Sequence, residues 1–188
     1  MLYEGRTSYN IMQANISNYF MELSSDLEGA YYGFYFLEFA DYYAREHNDE
    51  TQMLKLLYQT LRALSSGKIH RELIKCIFEL KALVINGEYP EVFRCSHCGN
   101  EESGVVFSSK NQGLICEECK ALATDGIQVN NSTLYTLQYI VSSPIEKLYT
   151  FVVSDEVLSQ LKHVMKQYIE KYVDKHFKSL EILEMCLN

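Results

Sequence analysis

Apolar residues recur at helical spacing along most of this chain, and the rhythm breaks in two places. Between Gln13 and Leu23 they fall at Ile16, Tyr19, Phe20 and Leu23, the i, i+3, i+4, i+7 face of an amphipathic helix. A second helix is predicted from about Ser25, where Glu28 completes a capping box, to about Glu46. It is apolar round most of its girth, with Glu38, Asp41 and Arg45 on the remaining side, so it reads as central and buried. A third helix follows Glu50 and ends at Gly67, with Met53, Leu56, Leu57, Thr60, Leu61 and Leu64 facing inward. A fourth runs from about Ile69 to Asn86, stopped by Gly87 as a left-handed cap and by Pro90. Further on, Val129 to Ser143 reads as a short helix capped by Asn131 or Ser132. Ser143, Pro144 and Glu146 open another, and a last long helix starts at Ser154 with Leu158, Leu161, Met165, Tyr168, Ile169 and Tyr172 on one stripe.

The first break is the N-terminus. "MLYEGRTSYNI" alternates like a strand, yet one strand without a partner is not a fold. The second lies between residues 91 and 124. Short apolar runs, Val105 to Phe107 and Leu114 to Ile115, flank a turn at Asn111 to Gly113, which predicts a β-hairpin. Both ends of that hairpin carry cysteine pairs. Cys95 and Cys98, then Cys116 and Cys119, form the pattern C-x2-C-x17-C-x2-C. A C-x2-C turn aims both thiolates at one point, and two such knuckles supply the tetrahedral sulfur set that zinc accepts. Four cysteines close the coordination shell, which leaves no open position for catalysis, so one structural zinc per chain is expected. Gly99 suits a position of positive φ behind the first knuckle, and His97 inside it is expected to face solvent, with a place among the ligands as the alternative. Two redox pairs or disulfides are the alternative, disfavoured in a reducing compartment. Cys76 and Cys186 sit in apolar helical patterns and read as inert core thiols.

These elements predict a mainly α protein, a helical bundle with an inserted four-cysteine zinc ribbon built on a small β-hairpin. Residues 13–90 and 125–188 form the helical domain, 91–124 the ribbon, and 1–12 a residual strand.

Composition narrows the function. The chain has 188 residues, a net charge of −8, 47% apolar residues and two prolines. No basic, apolar leader opens it, and its most apolar stretch is interrupted by Glu38 and Asp41, so a cytoplasmic protein is expected. A surface of this charge does not coat nucleic acid as a whole. The fifteen tyrosines cluster with phenylalanines at helical spacing and read as core. His47, His70, His163 and His176 pair with no nucleophile, and no phosphate-cradling glycine loop is present. Nothing argues for an enzyme. One charged feature stands out: Arg62, Lys68, Arg71 and Lys75 around the third and fourth helices, and Lys162, Lys166 and Lys178 beside the last stripe. These cations are either a solvated, salt-bridged face or basic rims around apolar surface, suited to an acidic peptide or a phosphate backbone.

The order of the pieces carries a resemblance. "FLEFADYYARE", "MLKLLYQTLRAL" and "IFELKALVINGEYP" precede the two knuckles, and "YIEKYVDKHFKSLEIL" follows them. From about Ser8 to Leu183 the chain resembles the bacterial RecO family of recombination mediators. The resemblance implies an N-terminal OB barrel, a helical domain and a zinc ribbon. The barrel is missing from the pattern here, and the N-terminal stretch reads as its last strand. The resemblance further implies a non-enzymatic, nucleoid-associated protein that anneals DNA strands. It joins RecR to load recombinase on strands covered by single-strand-binding protein (SSB). The zinc ligands carry over to Cys95, Cys98, Cys116 and Cys119. DNA binding is expected to be weak without the barrel. The acidic SSB tail is expected against Leu61, Ile69 and Ile74, with Arg62, Lys68, Arg71 and Lys75 on the rim. A free-standing zinc-ribbon interaction module, such as a transcription accessory protein, is the alternative.

Overall fold

The computed structural model describes residues 2–6, 8–101 and 106–187. Met1 and Val105, both expected in strands, lie outside them. Two short strands open the chain, β1 (Leu2–Glu4) and β2 (Tyr9–Ile11), paired antiparallel with Tyr3 opposite Asn10. The single strand expected over 1–12 is therefore a hairpin. The chain reverses after Gly5, whose N–H donates to Ser8 O at 2.8 Å.

The helix expected from Gln13 to Leu23 shrinks to one turn, α1 (Met21–Ser24). Asn15, Ser17 and Asn18 are residues whose side chains compete for backbone hydrogen bonds. Asn18 Oδ1 accepts from the Phe20 N–H at 2.9 Å, and Phe20 takes a left-handed φ of 47°, which ends any helix before it. Ile16 and Tyr19 are left 61% and 69% exposed.

α2 (Leu27–Tyr43) is capped by Asp26, which accepts from the Gly29 N–H at 3.1 Å, one residue past the expected Ser25. Tyr32, Tyr35, Phe36, Phe39 and Tyr43 are buried, but Phe34 and Leu37 are 58% and 47% exposed, so α2 covers the core rather than running through it. α3 (Thr51–Ser66) ends at Gly67 and packs on α4 (Arg71–Ile85). The enclosed helix is α4, buried without interruption from Cys76 to Leu83. Phe36 and Phe39 of α2 meet Phe78 of α4 at ring distances of 4.7 and 5.6 Å.

The ribbon strands β3 (Val106–Ser108) and β4 (Gly113–Ile115) pair antiparallel, and β5 (Ile127–Gln128) adds a third strand beside β3. Phe107 stands opposite both Leu114 and Ile127. Gly113 is required by close approach: a Cβ there would meet Glu91 O at 2.2 Å. Val92, Phe107 and Leu114 belong to the same core as the helices. Polar contacts secure the seat. Tyr168 OH donates to Glu88 O (2.9 Å), Tyr172 OH to Ser109 O (2.6 Å) and Gln138 Nε2 to Val92 O (2.8 Å).

α5 (Asn131–Ser142) is capped by Asn130, which accepts from the Thr133 N–H at 2.8 Å, rather than by Asn131 or Ser132. It ends at Pro144, which has no N–H to offer the Ile140 carbonyl. The buried Lys81 of α4 supplies the donors instead: Nζ reaches Ile140 O, Val141 O and Ser143 O at 3.2, 3.0 and 2.6 Å. The helix expected after Ser143 is only a 3-10 turn over Ile145–Lys147, with Pro144 at ψ 154° in the cap position rather than inside the first turn. α6 (Asp155–Tyr172) starts on its Ser154 cap, as expected. It stops at Val173, and a separate α7 (Lys178–Leu187) returns along α2. Phe177 stacks on Phe39 at 5.2 Å and meets Tyr35 edge-on at 5.5 Å. Glu38 of α2 accepts from Ser179 N–H and Oγ at 3.0 and 2.5 Å. Among the described residues, no helix is long and apolar enough to cross a membrane. The architecture is a helical bundle with an inserted four-cysteine ribbon.

Candidate metal centre and basic clefts

The four ribbon cysteines converge, with all four sulfurs within 4.8 Å of one another. Local backbone bonding shapes each knuckle. Cys95 N–H donates to Asn100 O (2.8 Å), Gly99 N–H to Cys95 O (2.9 Å), and Cys119 N–H to Cys116 O (3.1 Å). Gly99 takes φ 75° to close the first turn. Ser96 N–H bonds Leu114 O at 2.8 Å, which fixes the first knuckle to the strand leading into the second. Cys95 and Cys116 are buried against Ile115, while Cys98 is exposed and Cys119 half-buried.

These distances fit a metal. Tetrahedral Zn–S bonds of ~2.3 Å place sulfurs ~3.8 Å apart, and Cys98 Sγ lies 3.7 Å from Cys116 Sγ. Burial raises the Cys95 thiol, but N–H groups of Cys116, Cys98 and His97 outweigh it and draw it down to about 6. Burial and the neighbouring thiols push Cys119 up to about 12. Four sulfurs this close cannot all ionise without a cation between them, which is what a bound metal supplies. His97 is exposed. Cys76 is buried, its thiol raised by desolvation, but Cys186 is exposed on α7 and is not the core thiol its helical pattern suggested.

The cations do not form one rim. Arg62 lies over the Tyr58 ring, 5.9 Å from its centroid, and with Lys68 lines a cleft of about 520 Å³ walled by Ile69, Tyr149, Phe151 and Val152, with Glu146 the one carboxylate among its described lining residues. Arg71 is turned away from that cleft and held by Asp26 and Glu28, the latter at 2.7 Å. Lys75 pairs with the buried Glu79 at 3.3 Å, and Lys162 with Glu72 at 3.0 Å. Lys75, Lys162 and Lys166 line a second cleft of about 1000 Å³, where Glu28, Glu72, Glu79, Glu170 and Glu184 match them. Lys178 is exposed at the start of α7. Ile74 is fully buried and offers no surface to a ligand. Tyr149, Phe151 and Val152 carried no sequence signal; they lie some 90 residues from Arg62, in a loop without periodicity.

Fold and site together define a helical protein whose bundle carries a four-cysteine knuckle fit for a metal. The family model described as "Recombination protein O C terminal" matches residues 24–181. Relatives match across almost the whole chain. The DNA repair protein RecO of Alkaliphilus metalliredigens is 31% identical over 184 residues, 97% of this chain and 75% of that protein. Those of Desulforamulus reducens and Caldicellulosiruptor bescii are 28% and 29% identical, over 98% and 92% of this chain and 72% and 70% of theirs. The chain belongs to the RecO family.

Proposed function

We propose that this chain acts in recombinational DNA repair as the helical, ribbon-bearing part of a non-enzymatic mediator in the RecF-O-R pathway. In that role it joins RecR, helps load recombinase on SSB-covered single strands at the nucleoid, and takes part in strand annealing. The observation that carries this reading is the family match over residues 24–181. Cys95, Cys98, Cys116 and Cys119 hold one structural zinc, which orders the ribbon tip and performs no chemistry, since four thiolates fill its shell. Direct DNA affinity of the chain alone is low, given its net charge of −8.

The placement of the cations supports one position for the acidic SSB tail, which ends in an apolar residue with a free carboxylate. Arg62 and Lys68 beside Ile69 and Phe151 offer cations next to apolar wall, whereas Arg71 and Lys75 are already neutralised. Arginine can grip a carboxylate with two parallel hydrogen bonds. The test is co-sedimentation of the chain with RecR on SSB-coated single-stranded DNA, alongside calorimetry with a synthetic tail peptide. A ternary complex and measurable heat are expected. Absence of both overturns the mediator reading.

A further inference from the structure

The four sulfurs that fit a metal are also placed for a different bond. Cys98 and Cys116 sit on opposite knuckles with their sulfurs 3.7 Å apart. The frame that brings them together is made of backbone. Ser96 N–H is tied to Leu114 O at 2.8 Å, two residues before Cys116, and Ser96 Oγ donates to the same carbonyl at 3.2 Å. β4 itself is paired along its length with β3, whose Phe107 lies in the bundle core. Exposure differs sharply between the two thiols: Cys98 is open to solvent, and Cys116 is buried with Ile115.

We propose that in the metal-free chain hydrogen peroxide joins Cys98 to Cys116, and that this cross-knuckle disulfide then clasps the ribbon in the metal's place. The inference rests on the reading that the four thiols are a metal site. In the first step the exposed Cys98 thiolate attacks one peroxide oxygen. The O–O bond breaks, Cys98 becomes a sulfenic acid, and the departing hydroxide takes a proton to leave as water. In the second step the Cys116 thiolate attacks the Cys98 sulfur. The S–S bond forms, the S–O bond breaks, and the hydroxide is protonated to a second water. Two thiols lose two electrons and two protons in all, and one peroxide becomes two waters.

Accessibility selects Cys98 for the first step: its thiol is exposed to peroxide, whereas Cys95 and Cys116 are buried. Placement selects Cys116 for the second. The competing partner inside the first knuckle, Cys95, is buried against Ile115, and its backbone is pinned by the Cys95 N–H to Asn100 O and Gly99 N–H to Cys95 O bonds. A Cys95–Cys98 bond would have to reshape that turn, whereas a Cys98–Cys116 bond joins two knuckles already held together by Ser96 N–H on Leu114 O. The cross-knuckle bond also closes the longer loop, so it restricts the unfolded chain more.

The experiment uses the full chain. Zinc content is measured on the protein as purified, which tests the metal reading separately. The chain is then stripped with chelator under reductant, desalted without air and given one equivalent of hydrogen peroxide. Free thiols are blocked, and the digest is sequenced unreduced by tandem mass spectrometry. The expected product is a peptide pair linked through Cys98 and Cys116, formed also by Cys95→Ser and abolished by Cys98→Ser. Its melting temperature should exceed that of the reduced metal-free chain. Bonds confined within each knuckle, a bond from Cys98 to Cys119, or over-oxidation of Cys98 without a link would each overturn the proposal. So would a cross-linked chain that melts no higher than the reduced one.

Discussion

Lys81→Met should destabilise the fold by ~3 kcal/mol. Lys81 is 7% exposed, and its ammonium has three donors, each used on a carbonyl at the end of α5. Among the described residues no carboxylate lies within ion-pairing distance of it. The helix end takes that role, since its carbonyls carry a partial negative charge. Methionine preserves the apolar stem and removes the donors. A buried carbonyl left without a partner costs ~1–3 kcal/mol, and Pro144 rules out the usual backbone replacement for Ile140 O. Against this, the ammonium's own desolvation, several kcal/mol, is recovered, so the net falls well short of three full penalties. For a chain of this size ~3 kcal/mol lowers the melting temperature by roughly 6–12 °C. Urea unfolding followed by circular dichroism gives the free energy directly, with an unchanged slope expected. A difference below ~0.5 kcal/mol, the scatter of ordinary surface changes, would show that water satisfies those carbonyls and that Lys81 is not their required donor.

Chelator treatment should remove about one zinc per chain, read by elemental analysis, and raise amide exchange around the four cysteines. Protection at Phe107 and Leu114 should persist, because they belong to the bundle core. Burial raises the Glu38 carboxyl, but the hydrogen bonds from Ser179 and the nearby Lys175 outweigh it and hold it below the ordinary glutamate value. Its contribution is therefore complete above the unfolded value of ~4.3 and is lost as pH falls through the lower folded value. Glu38→Gln should flatten the acid limb of a stability–pH curve, and an unchanged limb would refute a stabilising role for the Glu38–Ser179 hydrogen bonds. Arg62→Glu should weaken SSB-tail binding by ~2 kcal/mol without loss of stability. Arg71→Glu should instead destabilise the fold, by repulsion from Asp26 and Glu28, with tail affinity unchanged; calorimetry and melting of both variants separate the two sites.

What the sequence made legible was local. The four cysteines could be assigned to one centre because two knuckles and the turn between them lie within 25 residues, and helices ending at Gly67 and Gly87 carry their own stop signals. Caps slipped by one residue where two good caps stand side by side, Ser25 with Asp26 and Asn130 with Asn131. The helix expected from Gln13 had a suitable face, but in the described structure Ile16 and Tyr19 stay exposed, and helical periodicity without a packing partner is weak. Lys81 against α5, Glu38 against α7 and Phe151 beside Arg62 are each joined across tens of residues, and no local pattern records such contacts. The charge cluster shows the same limit. Arg62 and Arg71 stand nine residues apart, yet one lines a cleft of mixed polar and apolar wall and the other is spent on a carboxylate pair.

The stacking of Phe177 on Phe39 has a consequence for synthesis. Glu38 and its partner Ser179 are 141 residues apart, so α7 emerges from the ribosome long after the helix it covers. At ~5–20 residues per second, α2 waits roughly 7–28 s with Tyr35 and Phe39 uncovered on that side. The ring cluster can close only once α7 has cleared the exit tunnel. Closure of the bundle therefore lags well behind synthesis of its first helices. During the interval the nascent chain presents an aromatic face that chaperones can hold, and a pause in translation ahead of residue 177 should lengthen that exposure and increase aggregation.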